Sequence, residues 1–188
     1  MTDMTFFERN RLEKKGIVKI NSLPENEFFD TKKYFLERMF PKGLGYGFPD
    51  PSFKGDDYFH LPTLYNASPI SNIPEMCFNI FELKYDPNMN HCGVGLNMNE
   101  IVSNLDIGFL TEREMWYVIA ELTKKQLNGE EGDLVVSTCS LTNVIGQVLC
   151  KDNITRFVGI YWIPAYRQWR ISSCNGVGRS GQIFQLIK

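Results

Sequence analysis

Arg156-Phe157-Val158-Gly159-Ile160-Tyr161-Trp162-Ile163-Pro164-Ala165-Tyr166-Arg167-Gln168-Trp169-Arg170-Ile171-Ser172 reads as two strands, 156–163 and 166–172, joined at Pro164-Ala165. Branched and aromatic side chains suit a pleated, half-buried surface, and proline suits the turn between them. With Trp162 opposite Arg167, period-2 alternation places Val158, Ile160, Trp162, Trp169 and Ile171 on one face. Tyr161, Tyr166, Gln168 and Arg170 then share the other. The first face is core material, and the second is polar and aromatic.

Working outward, Gln182 to Ile187 reads as a third strand, which makes an antiparallel meander with the first two. Upstream, Leu141, Val144, Ile145, Val148 and Leu149 follow 3.6-residue spacing, so a helix over 141–150 capped by Ser140 is expected. Leu134 to Thr138 reads as a short buried strand, giving a β-α-β-β-β tail. Before it, Thr111-Glu112-Arg113-Glu114 is a capping box leading into Met115, Val118, Ile119 and Leu122. This predicts a helix over 112–127 closed by Asn128-Gly129.

The N-terminal portion reads as helix and loop. Thr5 and Glu8 form a second capping box and Gly16 a stop, predicting a helix over 6–15. Asp30 can cap another helix reaching Phe40, with Tyr34, Phe35, Met39 and Phe40 as its apolar stripe and Pro41 as its end. Seven of the nine prolines fall between Pro41 and Pro87, beside a Gly43-x-Gly45-x-Gly47 spacing, so regular structure there is interrupted. Met76 to Tyr85 is the one strand expected within that stretch. Its many aromatic residues mark 41–100 as a packed excursion rather than a tether. The expected fold is α+β: a helical and loop-rich N-terminal portion packed on a small, mainly antiparallel C-terminal sheet, in one domain over 1–188.

Composition narrows the function classes. Hydrophobic residues make up 43% of the 188 and charged residues 22%, which supports a packed core. No run approaches the ~18 apolar residues of a membrane span. Met1 to Lys15 is too charged for a secretory signal, and five widely spaced cysteines fit free thiols better than a disulfide frame. Synthesis and folding in the cytoplasm are expected, and delivery elsewhere afterwards is compatible with the same features. Residues 1–132 carry 20 acidic and 14 basic groups, whereas 133–188 carry 2 and 6. The last third is basic in sequence, although the pI is about 5.8.

Several residues could carry chemistry. Tyr, Trp and Arg dominate protein-binding hot spots, and rings beside guanidinium groups also stack on bases, so Tyr161, Tyr166, Gln168, Arg170 and Arg179 form the first candidate surface. Cys139, just ahead of the expected helix, is the candidate nucleophile of a hydrolase or transferase, since a helix N-terminus lowers a thiol's pKa. His91 would be its base and Asp106 the orienting group. Gly176-Val177-Gly178-Arg179-Ser180-Gly181 spells a dinucleotide-loop pattern, but Gln182 to Lys188 reads as a strand and not as the helix that a pyrophosphate needs. From Cys174 to Arg179 the spacing is one residue short of a phosphatase loop. Asp56, Asp57, His60, His91 and Cys92 do not assemble a recognised metal-ligand spacing. The sequence therefore points first to a non-enzymatic interaction protein with a protein partner. The cysteine enzyme stands second, and anion or nucleic-acid binding by the basic third stands third. Neither cofactor nor metal is expected.

Overall fold

The computed structural model describes residues 12–31, 33–35, 69–83, 96–97, 104–136, 143–149, 155–165, 167–174, 176–177 and 181–187. Its elements in chain order are β1 (Leu12–Ile20), β2 (Met76–Leu83), β3 (Leu96–Asn97), β4 (Phe109–Leu110), α1 (Glu112–Thr123), β5 (Asn143–Leu149), β6 (Thr155–Ile163), β7 (Gln168–Cys174), β8 (Gly176–Val177) and β9 (Gln182–Leu186).

A seven-stranded mixed sheet dominates, in the order β1-β2-β9-β5-β6-β7 with β4 also on β5. This overturns the expected small C-terminal sheet under a helical N-terminal portion. β1 pairs antiparallel with β2, and β2 with β9, so residues 12–20 supply sheet rather than a covering helix. Residues 12–15, expected in a helix, lie in β1. Its Ile17, Val18 and Ile20 are branched, and burial of Val18 and Ile20 on the core side stabilises it as a strand.

A second correction concerns 141–150. Residues Asn143 to Leu149 form a strand, antiparallel to β6, with a register shift between Val144 and Gly146. Asn143 and Val144 pair parallel with β9, while Gln147 and Val148 pair parallel with β4. Because β5 is central and its residues 143–147 are all buried, its apolar residues do not alternate. Leu134 to Val136, expected to begin a strand, are bend and coil. The meander is also only half present: β6 and β7 form the hairpin, but β9 sits between β2 and β5.

Three elements match the expectation closely. β2 occupies Met76–Leu83. α1 begins with the expected capping box, Thr111 Oγ1 accepting from the Glu114 amide at 3.2 Å and Glu114 Oε2 from the Thr111 amide at 2.7 Å, but it ends at Thr123, short of the expected 127. The β6–β7 pair is the third. Asp30 also acts as a cap, its Oδ1 accepting from the Lys33 amide at 2.8 Å.

α1 connects the parallel strands β4 and β5 and covers one face of the sheet. Met115 through Ala120, Leu122 and Thr123 are all buried, so the helix is enclosed on its outer side as well. Phe29, Tyr34 and Phe35 supply that outer cover: Phe29 meets Tyr117 at 5.5 Å between ring centroids, and Phe35 meets Trp116 at 5.2 Å. Tyr34 donates to the Ala120 carbonyl at 3.0 Å, which satisfies a buried hydroxyl. Residues 23–29 and 69–73 are tied together, because Phe29 and Ile70 form a bridge and the Leu23 amide donates to the Ile73 carbonyl.

The other face of the sheet carries Phe81, Val144, Phe157 and Ile183, all buried. Residues 104–108 are attached there: Gln185 donates to the Leu105 carbonyl and Gln147 to the Ile107 carbonyl. Side-chain amides thereby satisfy carbonyls that no ladder reaches.

Candidate functional site

Register decides which side chains the β6–β7 hairpin presents. Trp162 faces Trp169, Ile160 faces Ile171, Tyr161 faces Arg170 and Ile163 faces Gln168. The expected pairing of Trp162 with Arg167 is displaced by two residues, because the connection is four residues long and not two. A shift of two preserves the faces, since strand side chains alternate with period two. Val158, Ile160, Trp162, Trp169 and Ile171 are accordingly all buried. The turn closes with the Arg167 amide donating to the Pro164 carbonyl at 3.2 Å, and Arg167 adopts a left-handed φ of 49°.

Behind the hairpin lies a support that no local pattern in the chain announces. The Trp162 and Trp169 rings meet edge to face at 5.5 Å. The Trp169 indole N–H donates to the Gln126 carbonyl. Gln126 is itself buried, and its side chain binds the Leu134 amide at 2.9 Å, the Leu134 carbonyl at 2.9 Å and the Glu130 carbonyl at 2.9 Å. Residues 126–134 are thus wrapped around one amide and laid on two tryptophans. The signals available in sequence are Gly129, which reads only as part of a helix stop, and Gly132. Both permit close approach, at Gly129 to the Trp162 ring and at Gly132 to the Gln126 side chain.

On the opposite side of the hairpin, Tyr161 and Gln168 are each partly exposed. At the tip, Arg167 is exposed, and its charge reaches the carboxyl of Glu130. That carboxyl is held below its ordinary range, chiefly by the Glu130 backbone amide, then by the Asn128 side chain, with a smaller contribution from Arg167. The hairpin tip and the 126–134 loop therefore form one polar end.

Of the first candidate surface, Tyr161 and Gln168 lie on the expected face and the Arg170 backbone holds the position opposite Tyr161. Tyr166 and Arg179 lie outside the described residues. So do Cys139 and His91, and with them Asp56, Asp57, His60 and Cys92. Asp106 is described: it is exposed in the 104–108 segment with a φ of 43°. The reason for expecting an activated thiol at Cys139 is a helix beginning at 141, and a strand from Asn143 takes that reason away. Gly176-Val177 pairs with β3, and Gln182 to Leu186 forms a strand. The glycine pattern there has no helix to receive a phosphate. Among the described residues, no group of three His, Cys, Asp or Glu is placed to hold a metal ion, and no helix is long and apolar enough to cross a membrane.

Comparison with protein-family models, with curated proteins and with solved structures finds no match for this chain.

Proposed function

We propose that the chain is a non-enzymatic interaction protein that docks a protein partner on the β6–β7 hairpin, using the side that carries Tyr161 and Gln168, with Arg170 paired in register opposite Tyr161. The carrying observation is that residues 126–134 cover the tryptophan side, while Tyr161 and Gln168 remain partly exposed on the other. A rigidly backed surface loses little conformational entropy on binding. Tyrosine and arginine supply large contact area and directed donors at small entropic cost.

The test is substitution of Tyr161, Tyr166 and Arg170 together by serine, with circular dichroism to verify folding. Proteins retained by the wild-type chain are identified, and the one most enriched is purified and titrated against both forms. A loss of at least tenfold in affinity is expected. Equal affinity with intact folding rejects the surface.

A further inference from the structure

The two ends of the seven-stranded sheet are built differently. β1, at one end, carries Glu13, Lys14, Lys15 and Lys19 and has a break in register between Lys14 and Gly16. Lysines and bulges on a terminal strand discourage another chain from pairing with it. β7, at the other end, has neither lysine nor proline, carries the single charge of Arg170, and pairs with β6 from Phe157↔Cys174 to Ile163↔Gln168 without a shift. Among the described residues, no strand pairs with its outer side. A regular terminal strand left undefended in this way is a template for an added strand.

Charge selects what would be added. From Asn153 to Lys188 the chain contains no Asp or Glu, but it contains Arg156, Arg167, Arg170, Arg179 and Lys188. Arg156 and Arg170 lie within β6 and β7, while the charge of Arg167, at the tip between them, is already shared with Glu130. We propose that the outer edge of β7 accepts an extended, acidic peptide segment of the partner as an eighth strand, which rests on the docking surface proposed above. Main-chain hydrogen bonds to β7 would hold the segment, and alternate side chains would fall on the two faces of the sheet. Carboxylates at those positions would meet a strand pair that holds positive charge and no negative charge of its own.

The probe is an eight-residue peptide alternating glutamate with threonine and valine, added to the full chain at low salt. Hydrogen exchange is monitored by mass spectrometry over 168–174. The expected result is several-fold slower exchange there, lost when salt is raised, when lysine replaces glutamate, or when proline is placed at the peptide's centre. Arg170→Glu should reverse the preference toward the lysine peptide. Unchanged exchange with the acidic peptide overturns the edge mode. Two other outcomes also overturn it: full protection without peptide, which means the chain covers its own edge, and protection that rises with protein concentration alone, which means a second copy occupies it. If the peptide fails while the triple serine variant still loses its partner, the edge mode falls and the docking surface stands. If neither responds, both fall.

Discussion

Gly129 lies so close to Trp162 that a β-carbon built on it would stand 2.5 Å from two atoms of the indole ring. Its φ of 78° is one that side-chain-bearing residues rarely adopt. Two independent constraints thus require glycine where the 126–134 loop meets the hairpin. Gly129→Ala should cost about 2–4 kcal/mol, the sum of left-handed strain and overpacking against a ring that Trp169 already holds. Gly16→Ala is the control, because nothing lies within 4 Å of a β-carbon there. It should change stability by no more than about 0.5 kcal/mol. Urea denaturation midpoints of the two variants make the comparison, and equal midpoints would contradict it.

Gln126 has the same structural weight by a different route. Its amide meets one backbone N–H and two carbonyls of the loop that it anchors. Removing it leaves the Leu134 amide and carbonyl short of partners in a buried setting, so Gln126→Ala should cost about 2–4 kcal/mol. Amide exchange at 130–134 should accelerate before that of α1. Uniform acceleration across the chain would mean that the loop is not a separate unit.

Alkali should destabilise the fold for reasons that can be assigned. The Lys15 ammonium is held above its ordinary value of 10.5 by its hydrogen bond to Glu82 and then by Glu13; Lys19 is raised by Glu75. A raised folded-state pKa contributes stability that is complete below the unfolded value and disappears as pH climbs through the folded one. The phenol of Tyr117 is raised from 10.0 mainly by burial, which opposes its ionisation, and it acts in the same direction. Stability should fall from about pH 10 upward. Tyr117→Phe should flatten part of the decline, and Lys15→Gln a smaller part because that pair is exposed. A midpoint independent of pH up to about 11 would contradict the assignment. Glu130, whose carboxyl is depressed, works in the opposite sense: its small contribution is present above the unfolded carboxyl value and is lost as pH falls through the folded one.

Legibility in the sequence tracked the length scale of the signal. α1 and the two hairpin faces are set by nearest neighbours, through a capping box in one case and period-2 alternation in the other. The hairpin faces also survived an error in register, because the error was an even number of residues. β5 misled because Ile145 falls at a register shift. The shift breaks the alternation and leaves Leu141, Val144, Ile145 and Val148 at helical spacing. β1 misled because Gly16 resembles a helix stop, while the branched Ile17, Val18 and Ile20 were the available sign of a strand. Its pairing with residues 76–83 is a long-range contact that no local pattern encodes. The Gln126–Trp169 hydrogen bond, which fixes the candidate surface from behind, joins residues 43 positions apart and is hidden for the same reason.

Placement of a photoreactive amino acid at position 168, on the half-exposed side of the hairpin, and at position 17, exposed on β1, tests the docking account most directly. Irradiation of cells that naturally make the chain should yield a discrete crosslinked partner from position 168 and none of it from position 17. The same adduct from both positions, or none from 168 while the protein remains folded, would contradict the account.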